Sequence, residues 1–167
     1  MNRIRNNSVR TVTMTDLIAA SDILIDAEGV WFYRGTEMIR RDIVRLFYQH
    51  LRQDASGACF IEIGRQRYPV EVEDTAFVVW RLRWTEGRDG EGECAYLLLS
   101  DDSIEKLDPA TLRIGKNNIP YCRIRNGAFE ARFSRSSYYT LTERVEYDSI
   151  RSTYVISVDG RTYRLSD

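Results

Sequence analysis

Twenty-two arginines against two lysines, with a single histidine, set the side-chain chemistry open to this 167-residue chain. Four Arg-x-Arg spacings occur: Arg3/Arg5, Arg65/Arg67, Arg81/Arg83 and Arg123/Arg125. On a strand, residues i and i+2 point to the same face. The last three pairs can therefore present guanidinium groups side by side, a geometry suited to phosphate or carboxylate. Arg81, Arg83, Arg123 and Arg125 are the candidate ligand-binding residues. The opposing reading is equally physical. If Tyr68–Val72 pairs with Phe77–Trp84 across a short turn, Glu71 falls diagonally near Arg81, and the arginines belong to ordinary ion pairs on a wet sheet face.

Other reactive groups are sparse. His50, the one histidine, lies beside the apolar seam of a predicted helix. A positioned imidazole can act as a general base, but a boundary histidine bonded to a carbonyl explains it as well. The acidic pairs Glu73-Asp74 and Asp101-Asp102 could bind a metal or share a proton. Both fall at predicted turns, where aspartate bonds its own backbone. Cys59, Cys94 and Cys122 are too far apart for a metal-binding Cys-x-x-Cys. Each lies in an apolar run and reads as a small buried hydrophobe. There is no phosphate-binding P-loop, dinucleotide fingerprint or nucleophile elbow. The glycines of Gly87–Gly92 are interleaved with acids, which would repel a phosphate. No catalytic residue, metal ligand or cofactor is assigned on these grounds.

Composition narrows the class further. The net charge is −1, from 24 basic and 25 acidic residues. That balance argues against a dedicated nucleic-acid binder, which carries a clear positive excess or a strongly basic face. Three scattered thiols fit a reducing, cytoplasmic compartment. No secretory signal pattern and no apolar run of membrane-spanning length is present.

These side chains must be positioned by local elements that the pattern predicts in order. Residues 1–14 are polar and read as a flexible tail, with Thr15 able to cap a short turn through Leu17, Ile18 and Ala20. Ile23–Ile25 and Val30–Tyr33 flank a glycine-containing turn and read as a hairpin. Ile39, Ile43, Leu46, Phe47 and His50/Leu51 recur at helical spacing and predict the main helix, near 40–52. Cys59–Ile63, Tyr68–Val72, Phe77–Trp84 and Cys94–Leu99 read as strands, with Val78, Trp80, Leu82 and Trp84 on one face. Glu86–Glu93 reads as a charged loop. Asn126-Gly127 and Asp159-Gly160 each predict a tight hairpin. Ser134–Tyr147 fits a helix capped by Ser134 or a strand, and its length favours helix. Strands joined by short turns imply an α+β protein with mostly antiparallel sheet.

Four stretches carry a resemblance: GVWFYRGTEM (Gly29–Met38), DIVRLF (Asp42–Phe47), VEVEDTAFVV (Val70–Val79) and IPYCRIRNGAFEARFSRSSYYTL (Ile119–Leu141). In order and spacing they resemble a bacterial family of uncharacterised proteins, domain-of-unknown-function family 1285. The resemblance spans roughly Ile23 to Leu165. It departs from the family pattern at Ala76, where proline is usual, and in extra residues around Asp148–Thr153. It implies two small packed rolls, each with about one main helix. With the polar tail read from composition, the expected division is a tail at 1–20, an α+β roll at 21–88 with its helix near 40–52, and a β-rich roll at 89–167 with its helix near 134–147. The resemblance brings no activity, catalytic residue or cofactor.

Three functional readings remain. The first is a non-catalytic binding or regulatory module for a small anionic ligand or a protein partner, through the paired arginines. The second is an enzyme of unassigned class using His50, Asp74 and Tyr121. The third is a structural, self-associating protein with an open sheet edge or an aromatic patch from Trp31, Trp80 and Trp84.

Overall fold

Short apolar runs punctuated by turn residues give this computed structural model fifteen strands and two α-helices among its described residues, 22–87 and 92–165. The expected tail, the turn capped by Thr15 and the centre of the Glu86–Glu93 loop lie outside those residues.

The first half holds β1 (Ile23–Ile25), β2 (Trp31–Tyr33), β3 (Thr36–Glu37), helix α1 (Arg41–His50), β4 (Leu51–Gln53), β5 (Cys59–Ile63) and β6 (Gln66–Val72). They form a six-stranded sheet in the order β3-β2-β1-β6-β5-β4. The β1–β2 turn is built locally. The Asp26 carboxylate accepts from the Glu28 and Val30 N–H groups, both at 2.9 Å. Gly29 closes the turn at φ +80°, and a Cβ there would lie 3.0 Å from Val78 Cγ2. Only glycine lets this turn come so near the second half.

The second half holds β7 (Phe77–Glu86), β8 (Glu93–Leu99), β9 (Ile104–Lys106), β10 (Arg113–Ile114), β11 (Pro120–Ile124) and β12 (Phe129–Phe133). Their order is β10-β11-β12-β7-β8-β9. Read from the other edge, this is the first sheet's order with every strand advanced by six. In each sheet the first and last strands of the half lie side by side at the centre, and there they run parallel: Leu24 opposite Glu71, and Val78 opposite Arg132. The expected antiparallel sheet is thus a mixed one. Its neighbours joined by short turns are antiparallel, while the central pairs are joined only through the rest of their half.

Helix α2 (Arg135–Thr142) follows, then a three-stranded antiparallel meander of β13 (Val145–Asp148), β14 (Thr153–Val158) and β15 (Arg161–Arg164). The ambiguous segment therefore holds both predicted states, helix first and strand after. The Ser134 hydroxyl caps α2 by accepting the Ser137 N–H at 3.2 Å, and itself reaches the Trp80 carbonyl at 3.2 Å. Ser134→Ala should lower unfolding stability by about 1–2 kcal/mol, the usual cost of a lost cap. Urea denaturation reads this directly, and an unchanged midpoint would show that the cap contributes nothing.

Two local expectations are corrected. The main helix ends at His50, because Leu51–Gln53 pairs with β5 (Leu51 opposite Ile61) and sheet bonding replaces another helical turn. Its buried face is Val44, Phe47 and Tyr48, one position round from the predicted seam, and Ile39 is 81% exposed. The Asn126-Gly127 hairpin has a four-residue loop, with Ile124 opposite Phe129 and positive φ at Arg125, Asn126 and Gly127. Asp159-Gly160 is the tight two-residue turn expected, both residues at positive φ.

One apolar cluster takes in Ile25, Trp31 and Phe47 from the first half and Phe77, Leu97 and Ile156 from beyond it. The boundary between the two large sheets falls at Glu73–Ala76. The division expected at 88/89 lies between β7 and β8, which are neighbours in one sheet. Tyr48 of α1 joins the halves. Its ring lies 4.8 Å from that of Phe77, and its hydroxyl is 2.7 Å from Ser100 Oγ, which also accepts the Val78 N–H at 3.1 Å. Burial pushes the Tyr48 pKa up to about 12. The three cysteines are free and buried, as read from the sequence. Burial pushes the Cys59 and Cys122 thiols up, away from reactive thiolate. No helix among the described residues is long and apolar enough to cross a membrane.

Candidate functional site

The outward placement of Arg81 and Arg83 follows from an irregularity in β7. Val79 stands opposite Leu99 and Arg81 opposite Leu98, so Trp80 is an extra residue in the strand. Such a bulge shifts the alternation by one. Phe77 and Val79 face inward before it and Leu82 after it, while Arg81 and Arg83 face solvent. The single face predicted for Val78, Trp80, Leu82 and Trp84 is split at this point. Trp80 itself is held by the first half: its indole N–H donates to the Glu28 carbonyl at 3.4 Å, and the Arg41 guanidinium lies 4.9 Å over the ring. The first half covers β7 as far as Trp80, and beyond it the strand lies open.

There a groove of about 590 Å³ runs along the sheet. Its floor consists of two cross-strand rungs. One is Arg81, Leu98 and Ile104, across β7, β8 and β9; the other is Arg83 and Tyr96. Ser136 and Thr140 of α2 form the wall, fixed by the Trp84 indole N–H donating to the Thr140 carbonyl at 3.2 Å. Among the described residues no carboxylate lines the groove. Among the described residues neither Arg81 nor Arg83 has an ion-pair partner. The Glu71 contact considered for Arg81 does not form, because β6 pairs with β5 and β1 and places Glu71 beside Leu24.

The other two candidate arginines are elsewhere. Arg123 is exposed on β11 opposite Glu130, level with the start of β7, whereas Arg81 and Arg83 lie past the bulge. Arg125 is already engaged. Its guanidinium pairs with Asp101 and lies 4.9 Å over the Phe77 ring. The structure thus brings Arg81 and Arg83 together and leaves Arg123 and Arg125 apart from them.

A second polar cluster lies where the halves meet. The Tyr121 hydroxyl donates to Asp74 at 2.9 Å, and Arg132 approaches Asp74 at 3.5 Å and Glu28 at 3.2 Å. Arg113 makes a two-pronged contact with Glu130, at 2.7 and 2.6 Å, and lies 4.2 Å over the Tyr121 ring. Burial and then the Asp74 carboxylate push the Tyr121 phenol up, and the Glu130 bond holds Arg113 in its charged form. Of the residues considered for catalysis, Asp74 and Tyr121 meet; His50, at the end of α1, makes no hydrogen bond to either. A neighbouring depression of about 440 Å³ is lined by Arg132 and Arg135 but also by Glu28. Its arginine charge is partly answered already, whereas among the described residues that of the β7 groove is not.

Arg132, Arg113, Tyr96, Leu98, Ile104, Ser136 and Thr140 were not singled out by the sequence. Tyr96 and Leu98 were within reach of it, since their spacing matches Arg81 and Arg83 across a hairpin. The tryptophans form no exposed patch: Trp31 is in the core and Trp80 and Trp84 are half-buried. Among the described residues no group of three or more His, Cys, Asp or Glu comes together in a manner able to hold a metal ion.

Residues 15–75 match the family described as domain of unknown function (DUF1285), N-terminal domain. The fold is similar to the crystal structure of a DUF1285 family protein from Silicibacter pomeroyi DSS-3, with a TM-score of 0.72 at 21% identity, covering 87% of this chain and 80% of that one. It is also similar to a DUF1285 family protein from Shewanella baltica OS155, with a TM-score of 0.60 at 17% identity, covering 73% of this chain and 91% of that one. No curated protein matches. The resemblance carried by the four sequence stretches is borne out.

Proposed function

We propose that this chain, with its DUF1285 fold, is a non-catalytic binding module that takes a small anionic ligand on Arg81 and Arg83. One observation carries the reading: two adjacent guanidinium groups line a groove in which, among the described residues, there is no carboxylate. The groove's size falls in the range usual for small-molecule sites. Hydrogen bonds to charged groups contribute about 1.5–3 kcal/mol each, so two arginines suffice for selective binding of an anion. The free, buried thiols support a cytoplasmic setting, where cysteines stay reduced.

The test is calorimetric titration with inorganic phosphate. Arg81→Gln with Arg83→Gln should weaken binding at least tenfold and leave the melting temperature unchanged, because both side chains are exposed. Arg123→Gln should bind like the native chain. Equal affinity in the double variant and the native chain would remove the assignment.

A further inference from the structure

We infer that the ligand of the β7 groove is a soluble phosphomonoester whose organic part is apolar and about 10 Å long, an inference that rests on the anion-binding reading above. The charge count gives the head. Arg81 and Arg83 supply two positive charges on neighbouring same-face positions of one strand, and a phosphomonoester carries close to two negative charges at neutral pH. Its three terminal oxygens can accept from two guanidinium forks at once, which a single carboxylate does less completely. The Ser136 and Thr140 side chains stand on the wall next to these arginines.

The floor gives the body and its direction. From Arg81 the rung continues to Leu98 and then Ile104, and from Arg83 to Tyr96. On the Arg81 rung charge is thus confined to β7 and apolar surface extends across β8 and β9, while the Arg83 rung passes from Tyr96 to Lys106, which is paired with Asp159 at 2.8 Å. Two inter-strand spacings amount to about 10 Å. Ile104 is 68% exposed and Tyr96 38% exposed, in contact with water until something covers them. A lone phosphate would answer the arginines and leave that strip wet. An apolar body attached to the phosphate would cover it in the same binding event. A membrane headgroup offers the same phosphate, but the α2 wall stands beside the arginines and, among the described residues lining the groove, only one large aliphatic side chain, Ile104, is exposed. That arrangement favours a small molecule lying along the floor.

The experiment compares inorganic phosphate, 1-naphthyl phosphate and vesicles of phosphatidylcholine containing phosphatidic acid, each titrated into the native chain and Ile104→Ser. Naphthyl phosphate should bind at least tenfold more tightly than inorganic phosphate. Most of that gain should vanish in Ile104→Ser, while phosphate binding itself persists. Equal affinity for the two soluble probes, or a gain untouched by Ile104→Ser, overturns the apolar body and leaves the anion site standing. Absence of binding by either soluble probe overturns the anion site too, and binding to vesicles alone overturns the soluble ligand.

Discussion

Phe77→Ala should destabilise the chain by about 3–5 kcal/mol, the range for removing a large aromatic ring from a core. Phe77 opens β7 directly after the Glu73–Ala76 connection and is fully buried. Its ring lies 4.8 Å from Tyr48 of α1 and 5.0 Å from Phe129 of β12, and the Arg125 guanidinium lies over it. The first half, the second sheet and a half-buried ion pair thus meet on one side chain. The cavity cannot be filled by one neighbour without pulling on the other two. Phe77→Leu, which keeps most of the volume, should cost well under half as much. Urea titration followed by tryptophan fluorescence is a suitable measurement, since Trp31 lies in the same cluster. A loss below about 1 kcal/mol in the alanine variant would mean that the cavity collapses freely and that the halves do not share a core.

Asp101→Ala should be nearly as damaging, at about 2–4 kcal/mol. The Asp101 side chain is only 6% exposed, and its carboxylate accepts from the Ser103 N–H at 3.0 Å and the Ser103 hydroxyl at 2.6 Å as well as from Arg125. Removing one member of a buried pair leaves the other charge uncompensated, which costs about 3–5 kcal/mol when both are dry. The figure here is lower because the Arg125 side chain is 34% exposed and part of its charge stays hydrated. Arg125→Met placed on top of Asp101→Ala should restore a substantial share of the loss, since the second change removes the stranded charge. Strict additivity of the two changes would show that they do not interact. Phosphate affinity at the β7 groove should be the same in Arg125→Met as in the native chain. This separates Arg125, an arginine engaged with Asp101, from Arg81 and Arg83, which have no ion-pair partner among the described residues.

What could be read from the sequence was local. The β1–β2 hairpin, the Asp159-Gly160 turn, the Ser134 cap and the burial of the cysteines follow from residue types within a few positions of one another. Helix α1 was visible too, but not its end. Leu51, Arg52 and Gln53 are too few to display strand alternation, and only their partner β5 shows that the backbone has changed state. The central parallel pairs were hidden for the same reason on a larger scale. Nothing within β1 refers to β6, some forty residues later, and the turn at Asp74 suggested a β6–β7 hairpin that the sheets do not make. The correspondence between the two halves is one of strand order and leaves no visible repeat in the residues. For the candidate site, the Arg-x-Arg spacing found Arg81 and Arg83, but the same spacing chose Arg123 and Arg125 with equal weight. Telling them apart required Asp101 and Phe77, which engage Arg125, and the place of Arg123 on β11, away from the groove, all of which only the fold sets.

The extra residue at Trp80 makes the character of this surface a matter of odd and even counting. Take one residue out of β7 there, and everything downstream changes sides: Leu82 and Trp84 would meet water, and two cations would be driven into hydrocarbon. The site and the irregularity are therefore inherited together. Drift in strand length at this point is closed to any descendant that keeps both arginines, and a descendant with an uninterrupted β7 would have to exchange polar for apolar residues along the rest of the strand.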